Sequence, residues 1–134
     1  MMIFLVVLVT GGQTKGNAPL TSVELLSTEG ARLCSLPDLP KARKHHSQTG
    51  LVACAGYGDS LFIKDTLDSC VTLKSGRWQK SHTLRAGRFA HTAWASPKGV
   101  LLIGGAVGGR KRTELSELLT DDGATTTSFI NSRM

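Results

Sequence analysis

Three short apolar runs in this chain end on the same signal at nearly the same spacing. Residues 3–10 (Ile3 to Thr10) run into Gly11-Gly12, Leu51-Val52-Ala53-Cys54 into Ala55-Gly56, and Val100-Leu101-Leu102-Ile103 into Gly104-Gly105. The closing glycines Gly12, Gly56 and Gly105 stand 44 and 49 residues apart. A second register aligns Val23-Glu24-Leu25-Leu26 with Cys70-Val71-Thr72-Leu73 and Ser116-Glu117-Leu118-Leu119, at offsets of 47 and 46. A third aligns Arg43-Lys44-His45-His46 with Arg88-Phe89-Ala90-His91, 45 residues on, and Leu33 with Trp78 at the same offset. Self-similarity at roughly 20–50 residues marks a repeat architecture, in which each unit buries its apolar faces against its neighbours. That constrains the fold more than any single motif.

The segments within a unit are four to eight residues long, are bounded by Gly, Pro, Ser or Asp, and carry no sustained helical stripe. Each unit therefore reads as a small antiparallel sheet. The 15 glycines among 134 residues, against a usual share of about 7%, fall at turn-like positions and agree with many short strands. Hydrophobic residues make up 40% of the chain, which excludes disorder.

On these residues the chain resembles the kelch-repeat β-propeller family. In that family an Arg and a His open the innermost strand, an apolar strand ends in Gly-Gly, a third strand carries Glu, and a fourth carries Trp. Arg88, His91, Gly104, Gly105 and Glu117 match in the last unit, Arg43, His46, Gly56 and Trp78 in the middle one, and Gly11 and Gly12 in the first. Ala55 replaces the first glycine of its pair, and Leu33 and Phe129 stand near the expected tryptophan. The resemblance implies an all-β chain, a partial β-propeller of stacked four-stranded antiparallel blades. It implies a partial first blade over residues 1–40, a second over 41–84 and a third over 85–134. Fewer than three blades fall short of the usual four to eight or so, so the expectation is a piece of a longer propeller or a subunit that self-associates.

Sixteen Lys and Arg against ten Asp and Glu give a net charge of +6, a bias toward acidic partners. If strands a to d follow in order, the d–a and b–c connections share one end. Arg43, Lys44, Arg88, Arg110, Lys111 and Arg112 then form a basic loop face, and Glu29 and Asp121-Asp122 sit at the other end. The expected function is a non-catalytic protein-interaction module whose loops meet a partner protein of acidic character. An extracellular structural or adhesive propeller fragment is the alternative. Arg43 and Arg88 have a second reading, as donors to buried carbonyls between blades. The Gly-Gly-Arg-Lys-Arg run at 108–112 has no interleaved aromatic platform, which argues against nucleic acid.

No enzyme is expected. The chain shows no nucleophile elbow, phosphate-binding loop or paired carboxylates, and its one tyrosine, Tyr57, does not suit the radical copper site of galactose oxidase-like kelch enzymes. His45, His46, His82 and His91 lack carboxylates at ligand spacing, so neither metal nor cofactor is expected. Cys34, Cys54 and Cys70 read either as buried apolar residues or as one Cys54–Cys70 bridge with Cys34 left over. The N-terminal apolar run lacks a positive flank and a cleavage site and is too short for a membrane span, so it reads as a buried strand. Nothing in the sequence fixes the compartment.

Overall fold

The computed structural model describes residues 6–58, 66–107, 111–123 and 125–129, and among them all regular structure is β. The strands are β1 (Val6–Thr10), β2 (Val23–Ser27), β3 (Arg32–Ser35), β4 (Ser47–Thr49), β5 (Val52–Cys54), β6 (Ser69–Lys74), β7 (Arg77–Thr83), β8 (Thr92–Ser96), β9 (Gly99–Ile103), β10 (Ala106–Val107), β11 (Lys111–Arg112), β12 (Leu115–Thr120) and β13 (Thr125–Phe129). They form antiparallel sheets in the orders β1-β2-β3, β4-β5-β6-β7 and β8-β9-β12-β13, with a separate ribbon β10-β11. Four-stranded sheets were expected after a partial first one. The second and third sheets have four strands and the first has three, and the loop between β9 and β12 carries a ribbon of its own, which was not expected. The apolar run expected from Ile3 is described from Val6 onward, and residues 1–5 lie outside the described residues; it is a strand but not a buried one, since Val6, Val7 and Val9 are exposed and only Thr10 is buried.

The repeat registers superpose as strand pairs. Val9 faces Glu24, Ala53 faces Val71, and Leu102 faces Glu117, the same step of each unit. Successive residues of a strand point to opposite faces, and the middle sheet uses both. Ala53 and Val71 pack with Val23, Leu39, Leu8, Leu36 and Trp78 toward the first sheet. Cys54 and Cys70 pack with Ala55, Leu84, Leu102 and Leu119 toward the third. The core thus lies in two layers, each between consecutive sheets, which is why alternation within the strands reads as continuous apolar character. Trp78, expected as a packing aromatic, lies on the first layer and donates its indole N–H to the Pro37 carbonyl at 2.8 Å.

Gly56 and Gly105 show why glycine closes these strands. Both have positive φ, 94° and 88°, which an L side chain adopts at a cost. A Cβ on Gly56 would lie 2.4 Å from the Lys44 carbonyl oxygen, and one on Gly105 would lie 2.6 Å from that of Phe89. Ala55 holds φ 60°, close to the 58° of Gly11 and 68° of Gly104. Its substitution for glycine leaves the backbone unchanged and places a methyl in the core.

Cys54 and Cys70 face each other across β5 and β6 and form a disulfide, Cα–Cα 4.1 Å, while Cys34 is exposed and free. The Ala55 N–H to Ser69 carbonyl bond makes this a non-hydrogen-bonded pair, the closer of the two antiparallel spacings. The bridge closes a loop with a sequence separation of 16. Its reduction is expected to cost about 3 kcal/mol. Denaturant unfolding with and without reductant checks this; coincident curves would show that the crosslink contributes nothing.

Candidate functional site

The connections entering β4 and β8 lie against the loops leaving β1, β5 and β9. Lys44 exchanges backbone bonds with Tyr57, and Phe89 does the same with Ala106. Gly12 N–H donates to the Arg43 carbonyl at 2.9 Å, and Gly56 N–H to that of Arg88 at 2.8 Å. Each unit is thereby tied to the next by the same two atoms. One end of the sheets gathers all these loops, as the strand order implied.

Arg43 and Arg88 do not belong to an exposed basic face. They are 1% and 0% exposed, because the backbone bridges on either side turn their side chains inward. Arg43 Nη1 donates to the carbonyls of Ser69 (2.9 Å) and Ala55 (3.4 Å). Arg88 Nη1 donates to those of Leu115 (2.7 Å) and Gly104 (3.1 Å), the equivalent acceptors. The acceptors lie in the arginine's own sheet or the loop leaving it; the link between units is carried by the backbone carbonyl instead. In the third unit Glu117 completes the site, 2.6 Å from Arg88 Nη2 with both side chains fully buried. Glu117 also accepts the Arg85 N–H at 2.6 Å. In the middle unit the equivalent position is Val71. Arg43 Nε is buried with no partner, and burial pushes its guanidinium down to about 10, still cationic at neutral pH.

His46 and His91 serve the seams between sheets. His46 Nε2 lies 3.0 Å from Thr10 Oγ1, whose hydroxyl donates to Gln48 Oε1 at 2.7 Å, so the ring donates through Nε2. His91 Nε2 lies 2.6 Å from Ser47 Oγ. The Nδ1 atoms of both are buried and unpartnered. Burial, then the Arg43 cation, holds His46 at about 4; burial, then the Arg88 cation, does the same to His91. Among the described residues no group of three or more His, Cys, Asp or Glu is placed to hold a metal ion. Nor is any helix there long and apolar enough to cross a membrane.

What remains exposed at the loop end is a different set. Lys41, Arg85 and Arg112 are exposed, and Lys44 is half-buried with its ammonium on the Asn17 carbonyl at 2.6 Å. Lys111 pairs through its backbone with Val107, and Arg110 lies outside the described residues. Asp38, Asp68 and Glu114 are exposed among these loops. At the opposite end, Lys74, Arg77 and Lys98 stand beside Glu29, Asp121 and Asp122 in the turns. The expected separation of a basic end from an acidic one is therefore corrected: the hairpin turns are of mixed charge.

The sequence reading passed over an aromatic cluster. Tyr57 stacks on Phe89, centroids 4.2 Å apart, and His45 meets Tyr57 edge-on at 5.9 Å. Tyr57 and Phe89 are half-buried and His45 is exposed. The signal was present in the registers: Phe89 follows Arg88 and Tyr57 follows Gly56, and the Gly56 N–H to Arg88 carbonyl bond between successive units sets the two rings together.

No protein-family model matches the chain, and no curated protein matches it. Among solved structures, the "Structure of YjhT" is similar, with a TM-score of 0.72 and 20% sequence identity over 92% of this chain. The chain spans 42% of the length of that structure. The likeness is one of fold.

Proposed function

We propose that this chain is a non-catalytic protein-interaction module, part of a kelch-like β-propeller, whose loop end receives an extended acidic peptide. The observation that carries this reading is the Tyr57–Phe89–His45 cluster, stacked and partly solvent-facing, with Lys44 beside it and Arg112 on the ribbon strand that pairs with Ala106. Aromatic side chains supply rigid contact area at low entropic cost, and arginine supplies bidentate donors to carboxylates. The close ionisable groups of the core, Arg88–Glu117 and the two histidines, are engaged in the fold's own bonds, which supports a binding role over a catalytic one. A second reading, an extracellular structural or adhesive module, is favoured by the Cys54–Cys70 disulfide, since such bonds persist in oxidising compartments.

A display library of acidic and neutral dodecapeptides tests the first reading. Acidic sequences should be enriched, and both Tyr57→Ala and Arg112→Glu should weaken the best of them at least tenfold. Equal enrichment of neutral sequences, or binding unchanged in both variants, would refute it.

A further inference from the structure

Hydrogen bonds hold residues 88–91 on the middle unit. Arg88 N–H donates to the Leu67 carbonyl at 3.2 Å, Gly56 N–H to the Arg88 carbonyl at 2.8 Å, and Ala90 N–H to the His45 carbonyl at 3.0 Å. His91 Nε2 lies 2.6 Å from Ser47 Oγ. These bonds frame the aromatic cluster: Tyr57 follows Gly56, Phe89 follows Arg88, and His45 meets Tyr57 edge-on. Of these bonds, the one made by a side chain is the one that a proton can change.

Among the described residues nothing bonds His91 Nδ1, which is buried. With its hydrogen on Nε2, facing Ser47 Oγ, the ring presents a bare lone pair at Nδ1. A second proton there becomes a charged buried N–H without an acceptor, a costly arrangement. The groups that face the ring offer it nothing in return. Its own connection supplies the Arg88 cation, already paired with Glu117. The middle unit supplies His46 and the Ser47 hydroxyl. The loop after β9 supplies backbone, close enough that a Cβ on Gly105 would lie 2.9 Å from His91 Cβ.

We propose that His91 is a proton-sensitive latch on the aromatic cluster. Uncharged, it holds residues 88–91 on the middle unit and Phe89 against Tyr57. Protonated, it leaves the seam, the Gly56 and Ala90 bonds part with it, and the ring stack opens. The consequence for a ligand rests on the loop-end reading above: a peptide that needs both rings is held at neutral pH and let go in acid. Charge attraction alone predicts the reverse, because acid adds positive charge to the chain. Burial, then Arg88 and His46, hold the closed ring at about 4, whereas the open ring in water titrates near 6.5. The closed form is therefore fully favoured above about 6.5 and loses ground as pH falls toward 4.

Amide hydrogen exchange of the full chain, corrected for its intrinsic pH dependence, reads the latch at Gly56 and Ala90. Ala55 is the internal control, since its N–H bonds to Ser69 within the middle unit. Protection at Gly56 and Ala90 should lie below that at Ala55 and fall about thirtyfold from pH 7.5 to 5. The His91→Gln chain should lose most of that fall, and His46→Gln should keep it. Equal protection of Gly56 and Ala55 would show that the joint opens only when the whole chain unfolds, and would overturn the latch without recourse to a variant. A fall undiminished in His91→Gln would overturn it as well. The best acidic peptide from the display library supplies the second arm: at about ten times its Kd it should raise protection at Gly56 and Ala90 about tenfold. Bound peptide that adds no protection would break the link between latch and site. A library that yields no peptide would sink the loop-end reading and leave the latch to be decided by the exchange comparison.

Discussion

Replacing Glu117 with alanine is expected to cost about 3–5 kcal/mol, the penalty for leaving a buried charge without its partner. The stability of a domain is about 5–15 kcal/mol, so the variant should sit near its unfolding transition at room temperature. The loss has two parts. Arg88, fully buried, keeps only neutral acceptors, and the Arg85 N–H loses its carboxylate. Glu117→Gln should cost less, because an amide oxygen still accepts from Arg85. The double variant Arg88→Met/Glu117→Leu should recover most of the loss, since an apolar pair of similar volume removes both desolvated charges. Urea unfolding of the four proteins checks the ordering. A Glu117→Ala midpoint within about 1 kcal/mol of the parent, a typical net hydrogen-bond contribution, would show that the ion pair is not holding the third sheet.

Acid should unfold the chain at a pH set by two histidines. His46 and His91 titrate at about 4 in the folded protein and near 6.5 when unfolded. Between those values the unfolded chain binds more protons, so stability is complete above about 6.5 and falls as pH drops toward 4. Each histidine contributes on the order of 3 kcal/mol over that window, and the repulsion of the His46 cation adds to the cost of charging His91. Denaturant unfolding measured from pH 7.5 to 4.5 should show this slope, and the His46→Gln/His91→Gln variant should flatten it. An equal slope in both proteins would move the effect to other groups.

The architecture was legible because it repeats. The glycine pairs, the Glu24/Val71/Glu117 step and the Arg43/Arg88 step each had a counterpart at a nearly constant offset, and strand pairing set the first two in one register. The placement of charge was not legible. Arg43 and Arg88 lie in polar connections, where a basic residue ordinarily faces water, and only the backbone bridges to Leu20 and Ala106 reveal that these connections turn their arginines inward. The aromatic stack was missed for a related reason. Tyr57 and Phe89 are 32 residues apart, and they meet because consecutive sheets meet. The acidic end was misjudged because Lys74, Arg77 and Lys98, scattered in sequence, share one end with the other turns.

The joint between units has a consequence for how such a chain can change over generations. Gly12 binds the Arg43 carbonyl and Gly56 binds that of Arg88, so the middle unit carries both halves of the joint, a glycine donor for its successor and an arginine carbonyl for its predecessor. Duplicating or deleting a whole unit in the gene therefore leaves matching halves at the new boundary. Unit number becomes a quantity that recombination can alter without redesigning an interface. Specialisation, such as Val71 where another unit keeps a glutamate, can then accumulate in one copy while its neighbours preserve the assembly.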